Sequence, residues 1–430
     1  MSFKTCAIVG VLLCAACQHA PPNPHQPLQK ADVVEADGKG QSTSARVGPT
    51  KGAPVETAPP NVPGNQPAFP QQTRAPGVRT QHRFVVQRIA GGLKLPWALE
   101  FLPDGRLLVT EKHAGKLALL AADGRRLADV SGVPKVDGRD QGGLLDVALS
   151  PTDPERVFIS YYEPRDGGNG LAVASARLVG GAAPKLDQLQ VVFRMRPTLA
   201  STMHAGGRLV FAPDGNLFIT LGERSILPGR VQAQDLASDF GKLVRIRPNG
   251  EIPADNPFVG TAGARGEIWT LGHRNVLGAA LDGQKRLWVA EMGPRGGDEL
   301  NLIERGKNYG WPTIGYGEEY SGARIHQSTQ APGLEQPIYY WDPVISPGAL
   351  LIYSGTLFPE WRNDFFIAGL SSKALIRLVV EHDRVTGEER LLTDRKSRIR
   401  DVAQAPDGSI YLLTDDDDDG EVLRLAPEER

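Results

Sequence analysis

His204 is the first residue whose type and position suggest chemistry. It lies in residues 201–215, STMHAGGRLVFAPDG, where two glycines and a strand-like run follow it and a Pro-Asp-Gly turn ends the stretch. An imidazole titrates near pH 6.5 and can therefore accept or donate a proton at neutral pH. A single histidine in a loop commonly has no function, so His204 needs support from residues elsewhere in the chain.

Polar side chains recur in the same kind of place. Each comes just before, or at the start of, an apolar strand pattern that leads into a turn: Gln141 in GRDQGGLLDVALSP, Arg274 and Asn275 in LGHRNVLGAALD, and Arg398 and Arg400 in SRIRDVAQAPDG. Any one of them alone is a solvated loop residue or an ion-pair partner. Their recurrence at equivalent positions of a repeat predicts that they line one site.

The repeat is a turn followed by a β-rich run. The clearest copies span residues 101–120, 211–223, 281–293 and 404–416, and weaker copies span 150–163 and 358–370. Their turns are spaced by about 60 residues on average, so six units account for residues 82–430. This pattern predicts an all-β fold, a six-bladed β-propeller of four-stranded antiparallel blades, whose inner strands surround a channel with the site at one end. A two-sheet β-helix or a pair of sandwiches is the alternative.

Composition excludes several classes of function. The 430 residues carry a net charge of −2, so no basic field attracts nucleic acid. All three cysteines, Cys6, Cys14 and Cys17, lie in the first 17 residues. The body of the chain therefore contains no disulfide, no thiolate metal site and no cysteine nucleophile.

The first 80 residues differ from the rest. Residues 1–17 are typical of a lipoprotein signal peptide, with Lys4, a short apolar run and CAAC, in which Cys17 would be acylated. Plain signal cleavage, which would give a soluble periplasmic protein, is the alternative. Residues 18–80 are rich in Pro, Gln, Thr and Gly and predict a disordered linker. We expect a protein of the periplasmic side of the cell envelope, anchored in the outer membrane only through this lipid.

Several stretches together resemble one family: LPWALEFLPDGRLLVTEK, QGGLLDVALSP, HAGGRLVF, GKLVRIRPNGEIPADNPF, EIWTLGHRNVLGAALD, GPRGGDELNLIERGKNYGWP, YSG and RIRDVAQAPDG. Over about residues 85–427 the chain is similar to the soluble quinoprotein glucose/sorbosone (aldose sugar) dehydrogenases. These are six-bladed propellers that use pyrroloquinoline quinone (PQQ) and calcium. The resemblance implies an oxidoreductase that converts the anomeric hydroxyl of an aldose sugar to a lactone. Because the sequence has no Cys-x-x-Cys-His for haem attachment, the electrons must leave to a separate acceptor.

The resemblance also implies a role for each candidate residue. His204 matches the general base that takes the proton of the anomeric hydroxyl while hydride passes to the quinone, and Gly206 and Gly207 would leave room for cofactor and sugar. The positions that match cofactor contacts are Gln141, Arg274, Asn275, Tyr320, Arg398 and Arg400. The carbonyls of Gly293 and Pro294 match ligands of the cofactor-associated calcium, and Glu299 and Tyr309 match ligands of a second, structural calcium.

Some positions depart from the family pattern. Met292 stands where Gln or His is usual, Glu223 stands where Asp is usual, and Ser371 replaces a lysine near the cofactor, with Lys373 two residues further along the same predicted strand. Two other functions remain open: a tethered propeller that binds a sugar or partner without turnover, and a calcium-dependent lactonase-type propeller. Retention of His204 with the arginines disfavours the first. The scarcity of carboxylates converging on one ion disfavours the second.

Overall fold

The turn-and-strand units of the sequence form six antiparallel sheets arranged as the blades of a propeller. A computed structural model describes residues 51–428 and the short strand Asp32–Val34. The inner strands of neighbouring blades contact each other all the way around the ring. The predicted six-bladed, all-β fold is therefore confirmed, whereas the predicted signal peptide, residues 1–17, lies outside the described residues.

The strands are numbered along the chain, with β1 (Asp32–Val34) and β2 (Phe84–Leu93) preceding the first complete blade. Blade 1 contains β3 (Pro96–Phe101), β4 (Leu107–Glu111), β5 (Lys116–Leu120) and β6 (Arg126–Val130). Blade 2 contains β7 (Leu144–Leu149), β8 (Arg156–Arg165), β9 (Gly168–Val179) and β10 (Lys185–Arg194). Blade 3 contains β11 (Leu209–Phe211), β12 (Leu217–Thr220), β13 (Lys242–Ile246) and β14 (Ile268–Leu271).

Blade 4 contains β15 (Val276–Leu281), β16 (Leu287–Glu291), β17 (Asp298–Ile303) and β18 (Tyr339–Trp341). Blade 5 contains β19 (Pro347–Ile352), β20 (Phe365–Gly369), β21 (Ala374–Glu381) and β22 (Arg384–Leu391). Blade 6 contains β23 (Ile399–Gln404), β24 (Ile410–Thr414) and β25 (Gly420–Pro427), and β2 and β1 complete it. The described helices are short: α1 (Leu227–Arg230) and the 3-10 turns Val231–Gln234, Pro359–Trp361 and Thr393–Arg395. No described helix is long and apolar enough to cross a membrane.

Each predicted turn connects the inner strand of a blade to the second strand. In the Pro-Asp-Gly turns between β3 and β4 and between β11 and β12, Gly105 and Gly215 have φ of +84° and +82°. Glycine is favoured there because a Cβ strains this left-handed backbone. The turns return the chain antiparallel, so the residues just before each inner strand meet at one end of the channel.

Blade 6 closes the ring by joining both ends of the propeller sequence. Strand β2 pairs antiparallel with β25, placing Phe84 opposite Pro427 and Val86 opposite Leu425. This pairing places the two ends of the propeller sequence in one blade, so the last blade cannot form without the strand that precedes the first.

Residues 51–80 correct the predicted linker boundary, because they are ordered against blades 4 and 5. The Asp342 carboxylate accepts hydrogen bonds from the Asn61 backbone and side-chain amides at 2.8 and 2.9 Å. Gln72 is fully buried, its side-chain amide donates to the Pro337 carbonyl at 2.8 Å, and Val78 is 3% exposed. A Pro-rich segment has too few apolar side chains to fold alone, but here the propeller supplies its hydrogen-bond partners. For the rest of 18–80, apart from the strand Asp32–Val34, the linker stays a prediction.

Arg208, directly before β11, fills the centre of the ring and contacts all five other inner strands. It contacts the Trp97 ring of β3 (4.5 Å from its centroid), Asp146 of β7 (3.0 Å), the Leu277 carbonyl of β15 (3.1 Å), the Gly348 carbonyl of β19 (3.3 Å) and Asp401 of β23 (3.0 Å). The carboxylates also tie neighbouring strands, since Asp146 accepts from the Leu209 amide and Asp401 from the Leu99 amide. One buried guanidinium thus links all six blades beneath the site.

Candidate active site

His204 lies in the loop before β11, buried at 4% exposure and paired with a carboxylate. Its Nδ1 is 3.1 Å from Oε1 of Glu223, which has no exposed surface. An ionised carboxylate only accepts hydrogen bonds, so Nδ1 carries the proton and Nε2 keeps its lone pair. The pair therefore orients the ring and fixes the tautomer that a general base needs.

The lowered pKa of His204 keeps the ring neutral near pH 7. Burial, followed by the positive charge of Arg274, lowers the pKa of His204 to about 4 although the Glu223 carboxylate opposes the shift. The contact with Glu223 is therefore a hydrogen bond to a neutral ring rather than an ion pair above pH 4. A neutral imidazole is the form that can accept a proton.

Two of the predicted cofactor-binding residues hold the His204 loop. The Gln141 side-chain oxygen accepts from the His204 backbone N–H at 2.9 Å, and the Asn275 side-chain oxygen accepts from the Gly206 N–H at 3.1 Å. His204 itself has a left-handed φ of +45°. Such backbone strain persists only where surrounding contacts impose it, and it is common at functional sites.

Gly206 and Gly207 have structural reasons to be glycine. Their φ values are +72° and +121°, and an added Cβ would lie 2.4 Å from the Thr220 carbonyl oxygen and 2.7 Å from a methyl carbon of Leu145. These contacts lie within the propeller itself. Backbone conformation and close packing therefore require both glycines.

Arg274 is anchored on the next blade by backbone groups. Its Nη1 donates to the carbonyls of Met292 (2.8 Å) and Gly293 (2.6 Å), and its guanidinium lies 5.4 Å from the centroid of the Trp311 ring. Met292 acts here through its main chain, since its N–H also donates to the Asn275 carbonyl at 3.0 Å. The departure to methionine at this position therefore leaves the support of Arg274 intact.

Arg398 and Arg400 converge on one acid that the sequence analysis did not select. Asp415, at the end of β24, accepts from Arg398 Nε at 2.8 Å and from Arg400 Nη2 at 2.8 Å. Burial alone would raise the pKa of Asp415, but the two arginines outweigh it and lower the pKa to about 2. Arg400 is buried, whereas the Arg398 side chain is 45% exposed. Two arginines and one carboxylate therefore leave a net positive charge at the channel mouth.

Three other positions lie in loops or turns rather than on strands. Tyr320 is 74% exposed on the loop between β17 and β18 of blade 4, next to Glu319, which pairs with Arg230. Ser371 and Lys373 lie in the turn between β20 and β21 rather than on a strand, and the Ser371 hydroxyl donates to the Val344 carbonyl at 3.2 Å. Lys373 therefore does not share a strand face with Ser371.

The residues predicted to bind calcium belong to a buried network behind Arg274. The Asn301 side-chain amide bridges Glu291 (3.0 Å) and Glu299 (3.2 Å). Tyr309 stacks on His273 at 4.7 Å, and His273 Nδ1 is 2.9 Å from Glu291. Burial and the neighbouring Glu291 raise the pKa of Glu299 well above its ordinary value. Among residues 51–428, no group of three or more His, Cys, Asp or Glu side chains is placed to hold a metal.

Gly293 and Pro294 lie on the loop between β16 and β17. Besides the Gly293 carbonyl that accepts from Arg274, the Gly293 N–H donates to Asp298 at 2.7 Å. Pro294 packs beside Gly317, where an added Cβ would lie 2.7 Å from the proline ring. The loop is thus fixed next to Arg274, and its carbonyls are the only oxygens that these two residues offer a cation.

Blade 1 contributes a residue that the sequence analysis missed. Lys112 follows β4, is 7% exposed, and its Nζ lies 3.3 Å from the Asp140 carbonyl. The Asp140 side chain accepts from the Thr202 hydroxyl, two residues before His204. No local motif in the sequence marks Lys112, because its burial and its neighbours depend on other segments of the chain.

Comparisons with known proteins identify the family of the chain. The family model for glucose/sorbosone dehydrogenases matches residues 93–424. The chain is 43% identical over 348 residues to aldose sugar dehydrogenase YliI of Escherichia coli K12. The aligned region covers 80% of this chain and 92% of that protein.

Solved structures give the same result. The apo-form of the soluble aldose sugar dehydrogenase of E. coli has a TM-score of 0.76 at 43% identity, covering 80% of this chain and all of the other. The PQQ-bound form of an aldose sugar dehydrogenase from Streptomyces coelicolor has a TM-score of 0.64 at 29% identity, covering 81% of this chain and all of the other. By sequence and by fold, the chain belongs to the glucose/sorbosone dehydrogenase family.

Proposed function

We propose that the protein oxidises aldose sugars at the anomeric carbon, with PQQ as cofactor and His204 as general base. The observation that carries the proposal is the buried His204–Glu223 pair, whose proton-accepting nitrogen is fixed at the end of the channel where Arg274, Arg398 and Arg400 also lie. A binding protein without turnover has no need of a ring held neutral in one tautomer. The sugar dehydrogenases found by comparison support the same substrate class.

The residues at the channel end fit an anionic quinone. Arg274 Nε and Asn275 Nδ2 are buried and have no hydrogen-bond partner among the described residues. Buried donors without partners are costly, and a ligand with carbonyl and carboxylate oxygens would satisfy them. Arg274 and Asn275 would hold the quinone oxygens, and Arg398 and Arg400 would hold its carboxylates. Gln141 and Tyr320 would complete the walls of the site.

The chemistry divides between cofactor and protein. When bound, the quinone supplies the acceptor for the two electrons that leave the sugar. His204 takes the hydroxyl proton on Nε2, and the Glu223 carboxylate stabilises the imidazolium through Nδ1. Arg274, permanently charged, stabilises negative charge that develops beside it. A separate electron acceptor then returns the protein to its starting state.

We extend the proposal to calcium at two places. The carbonyls of Gly293 and Pro294 would bind an ion beside the cofactor, and Glu299 with the Tyr309 carbonyl would bind a structural ion. Oxygen ligands of this kind suit a hard cation. The unpartnered Oδ1 of Asn301, beside the buried pair Glu291 and Glu299, supports the second place. A cation there would offset the repulsion that raises the pKa of Glu299.

Reconstitution tests the function. The purified protein, stripped with a chelator, is expected to oxidise aldoses with a dye acceptor only after PQQ is added, and calcium is expected to increase the activity. Arg400→Ala is expected to weaken PQQ binding by about tenfold or more, because a charge-assisted hydrogen bond is lost. Excess PQQ should then restore part of the activity. Arg362→Ala, at an exposed arginine in the turn between β19 and β20, is the matched control. Absence of PQQ binding in the wild-type protein would refute the proposal.

We also propose that the protein works on the periplasmic side of the envelope, anchored to the outer membrane through a lipid on Cys17. The support is the sequence alone: Cys17 follows a short apolar run and small residues, and Gln18 rather than Asp comes next. Cys17→Ser is expected to move the protein from the membrane fraction to the soluble fraction with the same specific activity. Mass spectrometry that finds an unmodified mature N-terminus at another residue would contradict the anchor.

A further inference from the structure

Lys112 is a buried cation that makes few hydrogen bonds within the described residues. Its ammonium has three protons to donate, yet its hydrogen bond within the described residues goes to the Asp140 carbonyl at 3.3 Å, an oxygen that His113 also contacts at 2.7 Å. Lys242, the other lysine that is buried among the described residues, instead donates to the Gln232, Ala233 and Phe240 carbonyls at 2.7–3.1 Å. All three protons of Lys242 therefore have partners within the protein, and those of Lys112 do not.

The charges around Lys112 point to a missing anion. The positive charges of Arg400 and Arg398 lower the pKa of the Lys112 ammonium. The negative charges of Asp415 and Asp417 raise it. Asp415, however, already accepts hydrogen bonds from both arginines. Lys112 thus lies near two arginines that already share the Asp415 carboxylate, and Asp417, two residues further along the chain, is exposed. A buried charge left in this state is costly unless a ligand completes the cluster.

Backbone hydrogen bonds fix Lys112 between the arginines and the His204 loop. The Leu95 N–H donates to the Asp416 carbonyl at 2.8 Å, and the Lys112 N–H donates to the Leu95 carbonyl at 3.0 Å. The Lys112 carbonyl in turn accepts from the Leu144 N–H at 2.9 Å, just after Gln141. Lys112 of blade 1 therefore lies between two parts of the site, with Arg398 and Arg400 on one side and Gln141 and His204 on the other.

We infer that Lys112 is a further cofactor-binding residue whose ammonium binds a carboxylate of the anionic cofactor together with Arg398 and Arg400. This inference rests on the proposed function, since it assigns the ligand class of the same site. We call Lys112, Arg398 and Arg400 the cation cluster. Blade 1 thus contributes a lysine side chain, Lys112, to the site. In blade 5, Ser371 lies in a turn and has only a hydroxyl group to contribute.

The cluster makes binding depend on pH in a defined direction. Burial, and then the charge of Arg400, lowers the pKa of Lys112 to about 8. The arginines stay charged, and Asp415 stays ionised because its pKa is about 2. His113, Asp140 and Asp417 are further titratable residues near Lys112. Only protonated Lys112 attracts a carboxylate, so affinity for an anion falls as pH rises through about 8.

Binding isotherms of the full chain test the inference with two probes, PQQ and the redox-inert anion benzene-1,3,5-tricarboxylate. Lys112→Met is expected to weaken both by about tenfold to hundredfold, the range for loss of a charge-assisted hydrogen bond. Lys112→Arg is expected to bind within about threefold of wild type near neutral pH and to lose the fall in affinity between pH 7 and 9. Lys116→Met, which removes an exposed lysine of the same blade paired with Asp129, is the matched control and is expected to bind like wild type.

Thermal unfolding separates binding from folding. Without ligand, Lys112→Met is expected to melt at or above the wild-type temperature, because it removes a buried cation that the two arginines repel. A lower melting temperature with unchanged ligand affinity would assign Lys112 a structural role and overturn the inference.

The two probes also separate this inference from the proposed function. Tricarboxylate binding that depends on Lys112, without PQQ binding, would refute the PQQ proposal and retain the cation cluster as an anion site. Binding of both probes by Lys112→Met with wild-type affinity would overturn the inference alone. Failure of the wild-type protein to bind either probe would overturn both.

Discussion

Replacement of His204 by asparagine is expected to lower turnover by about 10²–10⁴-fold, the contribution of a positioned general base. The asparagine amide can still donate to Glu223, which also accepts from the Ser225 N–H at 2.7 Å. It has no basic nitrogen to take the sugar proton. PQQ affinity should stay near the wild-type value, because the proposed contacts to the cofactor come from the arginines.

The pH profile of the wild-type protein gives an independent measurement. Since the pKa of His204 is lowered to about 4, the ring is neutral above that value and loses its basic form only as pH falls through it. The acid limb of kcat/KM is therefore expected well below pH 6. An acid limb near 6.5 would mean that the ring is solvated rather than buried. Equal turnover of His204→Asn and wild type, with PQQ bound in both, would show that His204 is not the base.

Replacement of Arg208 by methionine is expected to cost the largest share of stability, about 3–5 kcal/mol, the usual effect of removing one partner of a buried ion pair. The side chains of Asp146 and Asp401 are only 5% and 4% exposed and would lose their cation. The change also removes the contacts that join six blades at one point. Chemical unfolding of both proteins at pH 7 measures the difference.

The Arg208 effect has a pH signature. Burial raises the pKa of Asp146 to about 6 against the opposing charge of Arg208. A group whose pKa is higher in the folded state destabilises that state as pH rises through the folded value. Without Arg208 this penalty grows, so the stability deficit of Arg208→Met is expected to be larger at pH 8 than at pH 5.

Two further variants control the Arg208 experiment. Arg247→Met breaks an exposed pair with Glu251, whose side chains are 54% and 61% exposed, and should change stability by less than about 1 kcal/mol. Adding Asp146→Asn and Asp401→Asn to Arg208→Met should recover part of the loss, because the buried charges are then gone. If Arg208→Met alone is as stable as wild type, the Arg208 guanidinium does not hold the six blades together.

The sequence determined the fold class and where the candidate site residues lie relative to the inner strands. Each repeat is a turn of fixed chemistry followed by a strand, and both are short-range features, so six units could be counted from residues such as Gly105, Gly215 and Gly408. The same local pattern put Gln141, His204 and Arg274 just before inner strands. Their meeting at one end of the channel followed from the direction of those strands.

Only the tertiary structure decided which groups pair across the ring. Asp415 was one member of an acidic run in the sequence, and its selection by Arg398 and Arg400 depends on the antiparallel return of β24 beside β23. Residues 51–80 have the composition of a disordered chain, and their order comes from partners such as Asp342 that lie about 280 residues away. Lys112 and Arg208 carry no local motif, because what makes each distinctive is the set of charges that other blades place around it. Turn and strand patterns depend on residues that are neighbours in the sequence. Desolvation and charge pairing depend on tertiary contacts, which form only when the blades close into a ring.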